Sequence, residues 1–132
     1  MTLEEIKDNF NEKNRFVATI GAKVTVLREG YAEVEMVISE SHLNTNGTLH
    51  GGVLFTLADS AAGAASKSYG CGSTTLEGKF NYIRPGVGVG RTIKAVAETC
   101  HQGKTTGVCE SKVYDDQGKL LAMGIFTMFL FR

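Results

Sequence analysis

The sequence is short of several residue types, and each shortage excludes something. Its 132 residues include one proline and no tryptophan. A single proline rules out a proline-rich linker or polyproline ligand. No sign of charge is in excess: 14 Lys and Arg face 14 Asp and Glu, for a formal net charge of zero. A dedicated nucleic-acid binder would carry a basic surplus, so nucleic acid is not an expected partner. A local basic patch for a small anion stays compatible with this balance. No apolar run reaches the ~18 residues of a membrane-spanning helix, so no membrane partner is expected. Residues 1–15 are polar, of mixed charge, and lack the apolar stretch of a signal peptide. The three cysteines, Cys71, Cys100 and Cys109, form no CxxC pair, and the three histidines are scattered. No zinc spacing results, and no metal is expected. An odd cysteine count without a secretory segment reads as free thiols in a reducing compartment, here the cytoplasm.

What is present suits one globular domain over residues 1–132. The hydrophobic fraction is 42% and the charged fraction 21%, ordinary values for a chain with a core. Sixteen glycines suit a sheet protein with tight turns.

Thr2 followed by Glu5 fits a capping box, and Leu3, Ile6 and Phe10 share a helical stripe, so residues 3–13 are expected to form a short amphipathic helix. Ile20, Ala22, Val24 and Val26 alternate with other residues at strand period. Glu29-Gly30 marks a tight turn, and Ala32, Val34, Met36 and Ile38 line one face of a second strand. Residues 39–50 form a polar loop. Residues 51–69 are apolar and rich in alanine, which favours a helix; their only charges are Asp59 and Lys67. Four strands are expected near 74–83, 91–101, 105–114 and 119–131, the last apolar on both faces and so placed centrally. Strand–helix alternation is missing, so the expected class is α+β. One antiparallel sheet wrapped around one long apolar helix is the simplest packing.

Asp59 is the most informative residue. Aspartate is a poor helix-interior residue, and an unpaired buried carboxylate is costly. Two readings follow: an exposed or lysine-paired Asp, or a functional carboxylate. In an apolar pocket without a cation it is expected to titrate above its ordinary value of about 3.9. The second feature is His50-Gly51-Gly52 where that helix starts. A helix N-terminus exposes unpaired N–H groups, and glycine lets another group come close. Such an N–H could stabilise an oxyanion, although Gly-Gly before a helix also serves as a plain turn. Eight residues separate Gly51 from Asp59, about 12 Å along the axis. Both cannot easily reach one carbonyl. If both are catalytic, they come from two copies of the chain.

The run from Asn44 through His50-Gly51-Gly52 to Asp59 resembles the signature of hotdog-fold acyl-CoA thioesterases, closest to the phenylacetate-pathway type. Phe80-Asn81-Tyr82-Ile83-Arg84-Pro85-Gly86 and His101-Gln102-Gly103-Lys104-Thr105 resemble that family too, and the order of elements matches a hotdog domain over nearly the whole chain. The resemblance implies hydrolysis of an acyl-CoA to a carboxylic acid and free CoA. It implies that Asp59 is the catalytic carboxylate, activating water or attacking the thioester itself. Gly51 matches the oxyanion donor. Asn44 matches the asparagine on the oxyanion side, with Asn46 as a nearby competitor. His50 matches the motif histidine, whose implied role is mainly to shape the loop and can include ligand contact. Thr75 falls where some relatives place a serine that positions water. No cofactor is implied beyond the CoA of the substrate. A homodimer with shared sites is implied, often paired into a tetramer.

Arg84, Arg91, Lys104 and Lys79 are the candidate cations for CoA phosphates, each with a plain reading as a solvated charge. Phe55, Ala58, Ala62 and Gly63 are expected to line a pocket for an aryl-acetyl, benzoyl or medium acyl chain. The Gly86–Gly90 stretch precedes a strand, so the dinucleotide fingerprint fails. No Gly-x-Ser-x-Gly elbow is present, and Cys71 has no histidine near it in sequence. His42 and His101 read as surface or hairpin residues. The rival function is a non-catalytic acyl-CoA sensing module on the same fold; a hydratase would use a different motif.

Overall fold

The computed structural model describes all residues from Met1 to Arg132. Helix α1, Leu3–Lys13, starts at the expected capping box. Thr2 N–H donates to Glu5 Oε1 at 3.0 Å, and Glu5 N–H donates to Thr2 Oγ1 at 3.1 Å. Ile6 and Phe10 are buried, while Leu3 is exposed, so the apolar stripe is shorter than the sequence pattern. A second helix, α2, Arg15–Thr19, follows at once, with Asn14 Oδ1 accepting from Val17 N–H. Five residues are too few to show a helical period, so sequence reading passes over it.

The strands are β1, Ala22–Arg28; β2, Tyr31–Val37; β3, Gly72–Tyr82; β4, Thr92–Gln102; β5, Thr106–Tyr114; and β6, Leu120–Phe131. They form one six-stranded antiparallel sheet in the order β1-β2-β4-β5-β6-β3. The long helix α3, Gly51–Lys67, packs across this sheet. Leu54, Leu57, Ala58, Ala61, Ala62 and Ala65 of α3 are buried in one core with Val34, Met36, Ile93 and Phe126. Small residues let the helix lie close, and removing this apolar surface from water supplies the main driving force. Polar sheet residues then reach the helix backbone: Ser111 Oγ donates to the Ala58 carbonyl at 2.8 Å. This is the α+β hotdog arrangement expected from the order of elements.

Two local features differ from expectation. β6 is an interior strand between β5 and β3, but it is not the middle one. Its outward residues Ile125, Phe129 and Phe131 are exposed. Its two-sided apolar pattern therefore does not mean two-sided burial within one protomer. His42, in a short 3-10 turn at Glu40–His42, is buried rather than superficial. Its Nδ1 accepts from Ser39 N–H at 2.9 Å and its Nε2 donates to the Ile20 carbonyl at 2.7 Å. His42 thus holds the polar loop to the C-terminal end of α2, just ahead of β1. His101 is exposed, as expected.

The free edge of β1 is covered by a side chain. The Asn11 amide donates to Val24 O at 2.9 Å and accepts from Val24 N–H at 2.8 Å, substituting for a neighbouring strand. At the β1–β2 turn Gly30 takes a φ of 75°, which non-glycine residues rarely adopt. Its N–H donates to Ser68 Oγ at 2.7 Å and ties the turn to the end of α3. No helix is long and apolar enough to cross a membrane.

Candidate active site

Helix α3 presents two faces with different contents. Residues 58 and 62 point into the sheet, whereas residues 59, 63 and 67 follow one another at i, i+4 and i+8 along another stripe. Ala58 and Ala62 are therefore fully buried in the core and do not line a pocket. Asp59 and Gly63 line a cavity of about 180 Å³ with Phe10, Asn14, Lys67 and Thr75. Ser60, Ser73, Thr74 and Met128 complete its wall. Thr75, on β3, donates its hydroxyl hydrogen to Asp59 Oδ1 at 2.6 Å. A short hydrogen bond to a carboxylate is of the strong, charge-assisted kind. It fixes the carboxyl group and leaves Oδ2 without a side-chain partner.

The condition of a cation-free apolar pocket is not met. Lys67 lines the same cavity. Burial pushes the Lys67 ammonium below its ordinary pKa, while the Asp59 charge pulls in the opposite direction. Phe55 lies elsewhere than expected. It packs edge-on against Phe80 and Phe126, with ring centroids 5.4 Å apart in each case. Gly78 makes room for that cluster: a Cβ there would come within 2.8 Å of both Phe126 and Phe55.

The other end of α3 is built by the loop before it. His50 caps the helix, its Nδ1 accepting from Gly52 N–H at 2.8 Å. Its carbonyl accepts from Val53 N–H at 2.9 Å. The first-turn donors after Gly51 are thus taken, and the Gly51 N–H has no acceptor within the chain. Tyr82 donates its hydroxyl to the Gly51 carbonyl at 2.9 Å. A Cβ at Gly51 would stand 3.1 Å from that ring. Asn44 Oδ1 accepts from Asn46 N–H at 2.9 Å and Thr48 N–H at 3.1 Å, closing the loop on itself. Asn46 is exposed. Asn44, Gly51, Tyr82 and Arg84 line a second cavity of about 310 Å³. The two cavities share no lining residue, so one protomer does not bring Gly51 and Asp59 together.

The candidate cations scatter. Arg84 uses one nitrogen on the Leu120 carbonyl at 3.0 Å and lines the Gly51 cavity. Arg91 is committed elsewhere: its Nε donates to Asp116 at 3.0 Å, with Asp115 at 3.6 Å. Asp116 holds the Arg91 pKa above its usual value, and Arg91 holds Asp116 below the usual carboxylate range. That pairing takes Arg91 out of the two cavities. Lys104 is exposed in the β4–β5 turn, and Lys79 is exposed on β3. The backbone at Thr105 meets Leu130 while Arg84 meets Leu121, so Lys104 and Arg84 sit at opposite ends of β6. Sequence reasoning did not single out Tyr82 or assign a role to Lys67. The only available signal was Lys67 standing eight residues beyond Asp59 in a helix otherwise free of charge. No group of three or more His, Cys, Asp or Glu residues is placed to hold a metal ion.

Residues 46–122, more than half the chain, match the thioesterase superfamily. The chain belongs to that superfamily. It is 34% identical over 112 residues to the acyl-coenzyme A thioesterase PaaI of Escherichia coli, covering 85% of this chain and 79% of the relative. The solved structure of the E. coli PaaI protein, from the phenylacetic acid degradation operon, superposes with a TM-score of 0.93. That match spans 98% of this chain and 94% of the other at 29% identity. A Streptococcus mutans protein solved bound to acetyl CoA matches at a TM-score of 0.78 and 31% identity, over 83% of this chain and 87% of that one. For this thioesterase-superfamily chain, the HGG turn and Asp59 both fall inside the matched segment.

Proposed function

We propose that the chain hydrolyses acyl-CoA thioesters, with Asp59 of one protomer working opposite the Gly51 N–H of another. Membership of the thioesterase superfamily and similarity to an acyl-coenzyme A thioesterase support the reaction class. The observation that carries the site is the pair of separated half-sites. One holds a carboxylate fixed by Thr75, and the other holds an unspent helix N-terminal donor. A reacting carbonyl needs both within about 3 Å, whereas the eight residues between them span about 12 Å of helix. A homodimer that sets one half-site against the other completes two sites, and two such dimers can pair as a tetramer.

In the completed site Asp59 Oδ2 takes a proton from water, and the water oxygen attacks the thioester carbonyl. The Thr75 hydroxyl has spent its hydrogen on Oδ1, so its lone pairs are free to accept from that same water. The Gly51 N–H donates to the oxyanion as it forms, with the helix dipole adding positive potential. Collapse breaks the C–S bond, and the proton held on Asp59 passes to the leaving thiolate of CoA. His50 and Asn44 shape the turn that presents the Gly51 N–H. Arg84 beside this cavity is the cation best placed for a CoA phosphate. Lys104, exposed in the β4–β5 turn, is a second candidate cation, and Phe55 packs against Phe80 of β3. No cofactor beyond water enters the reaction. The acyl group is an aryl-acetyl, benzoyl or medium-chain group, and the roughly 180 Å³ beside Asp59 is the part of its pocket that one protomer supplies. Free Cys71, Cys100 and Cys109 suit a reducing cytoplasm.

The test is free-thiol release from phenylacetyl-, benzoyl-, hexanoyl- and palmitoyl-CoA by the wild type and a folded Asp59→Asn variant. Turnover of the smaller acyl groups, lost in Asp59→Asn, supports the reading. Binding of acyl-CoA without any turnover would replace it with a sensing module.

A further inference from the structure

The stripe of α3 that carries Asp59 ends at Lys67. Between them at i+4 stands Gly63, where an added Cβ would meet nothing closer than Met128 Cε at 4.0 Å. Helical side chains lean toward the helix N-terminus, so Lys67 leans back over this gap and lines the Asp59 cavity. It also lines a second groove of about 360 Å³ formed by α1 and α2, with Phe10 and Asn14 common to both spaces. The Lys67 Nζ lies 5.4 Å from the Phe10 ring centroid, and none of the chain's ion pairs includes it. That groove contains Lys13 and Arg15 and no carboxylate. The cavity wall between Asp59 and Lys67 is polar, with Asn14, Ser60, Ser73 and Thr74. A simple alkyl chain gains little from such a wall, and a half-buried cation held only by the Phe10 ring and the more distant Asp59 charge, with no ion pair of its own, is costly to keep.

We propose that Lys67 is a specificity-determining residue that receives a carboxylate at the far end of the acyl group. The preferred substrates are then CoA thioesters of short dicarboxylic or carboxyaryl acids. This rests on the thioesterase reading of the Asp59 site and names the substrate class within it. The position of Lys67 argues for the acyl end of the substrate. It shares a small cavity with the catalytic carboxylate, whereas the phosphates of CoA lie at the far end of the long pantetheine arm.

The experiment compares glutaryl-CoA with hexanoyl-CoA, acyl groups of similar length that differ in terminal charge. Wild type, Lys67→Met and Lys67→Arg are assayed with both. The expected result is a wild-type preference for glutaryl-CoA in kcat/KM. Lys67→Met should lose roughly tenfold or more on glutaryl-CoA alone, and Lys67→Arg should keep most of the preference. The same pair is run as pantetheine thioesters, which lack the nucleotide. Persistence of the Lys67→Met effect there supports acyl recognition. An effect equal for both acyl groups and absent with pantetheine assigns Lys67 to a CoA phosphate and overturns the proposal. Equal acyl ratios in wild type and Lys67→Met overturn it as well. Binding of non-hydrolysable thioethers of CoA, ω-carboxyalkyl against alkyl, provides a readout apart from turnover. A Lys67-dependent preference there without hydrolysis upholds the carboxylate site and sinks the thioesterase reading instead. No such preference in binding overturns the carboxylate site.

Discussion

The Thr75 hydroxyl on β3 donates to Asp59 Oδ1 on α3 at 2.6 Å, so the edge strand and the central helix position one carboxylate between them. Sixteen residues separate the two in sequence. Under the proposed mechanism the pair has a direct kinetic consequence. Asp59→Asn should lower kcat by about 100-fold or more, the range for loss of a general base. Thr75→Ala should cost about tenfold, and Thr75→Ser, which keeps the hydroxyl, should recover most of it. Steady-state thiol release by the three variants, with circular dichroism to confirm folding, checks the order.

Subunit mixing tests the separation of the half-sites. Asp59→Asn and Asn44→Ala chains are each expected to be impaired. Mixed one to one and allowed to exchange, half the dimers are heterodimers, and each heterodimer holds one unimpaired site. About a quarter of wild-type activity should return. No recovery, with exchange verified by mass spectrometry, would place the whole site within one chain.

The two histidines outside the HGG turn should behave differently. His42→Ala leaves Ser39 N–H and the Ile20 carbonyl without partners inside the protein. A loss of about 2 kcal/mol in urea unfolding is expected. His101→Ala, at an exposed position, should stay within about 0.5 kcal/mol. A small effect at both positions would contradict the buried role of His42.

Lys67 should leave a pH signature in stability. Burial lowers its pKa in the folded chain, with Asp59 opposing the shift, so the folded state holds this proton less tightly than the unfolded state does. The charged form therefore subtracts from stability at neutral pH. The deficit is relieved as pH rises from the lowered folded value toward the ordinary 10.5. Lys67→Met, which keeps an apolar stem over Phe10, should be more stable than wild type at pH 7. The gain should shrink on the alkaline side. A gain that does not change with pH would show that packing, rather than charge, is responsible.

Much of the molecule is written locally in the sequence. The Thr2–Glu5 box, the helix beginning at Gly51, the alternation at Ala32, Val34 and Met36, and the turn at Gly30 all depend on residues within a few positions of one another. Backbone hydrogen bonding and side-chain period act at that range, so these features are legible before folding is considered. The helical distance between Gly51 and Asp59 is of the same kind, and so is the HGG turn that His50 caps.

Other features depend on partners far along the chain, and only the tertiary structure decided them. Arg91 is matched to Asp116 twenty-five residues away, which removes it from the candidate phosphate ligands. His42 is buried because the C-terminal end of α2, twenty-two residues away, supplies the Ile20 carbonyl. Ala58 and Ala62 face the sheet, and Phe55 joins an aromatic cluster with Phe80 and Phe126. Strand order places β3 at the edge beside β6, and that placement brings Thr75 onto Asp59. Sequence periodicity says which residues share a face of one element. It carries no record of which element that face will meet, because that choice is made by the packing of the whole chain.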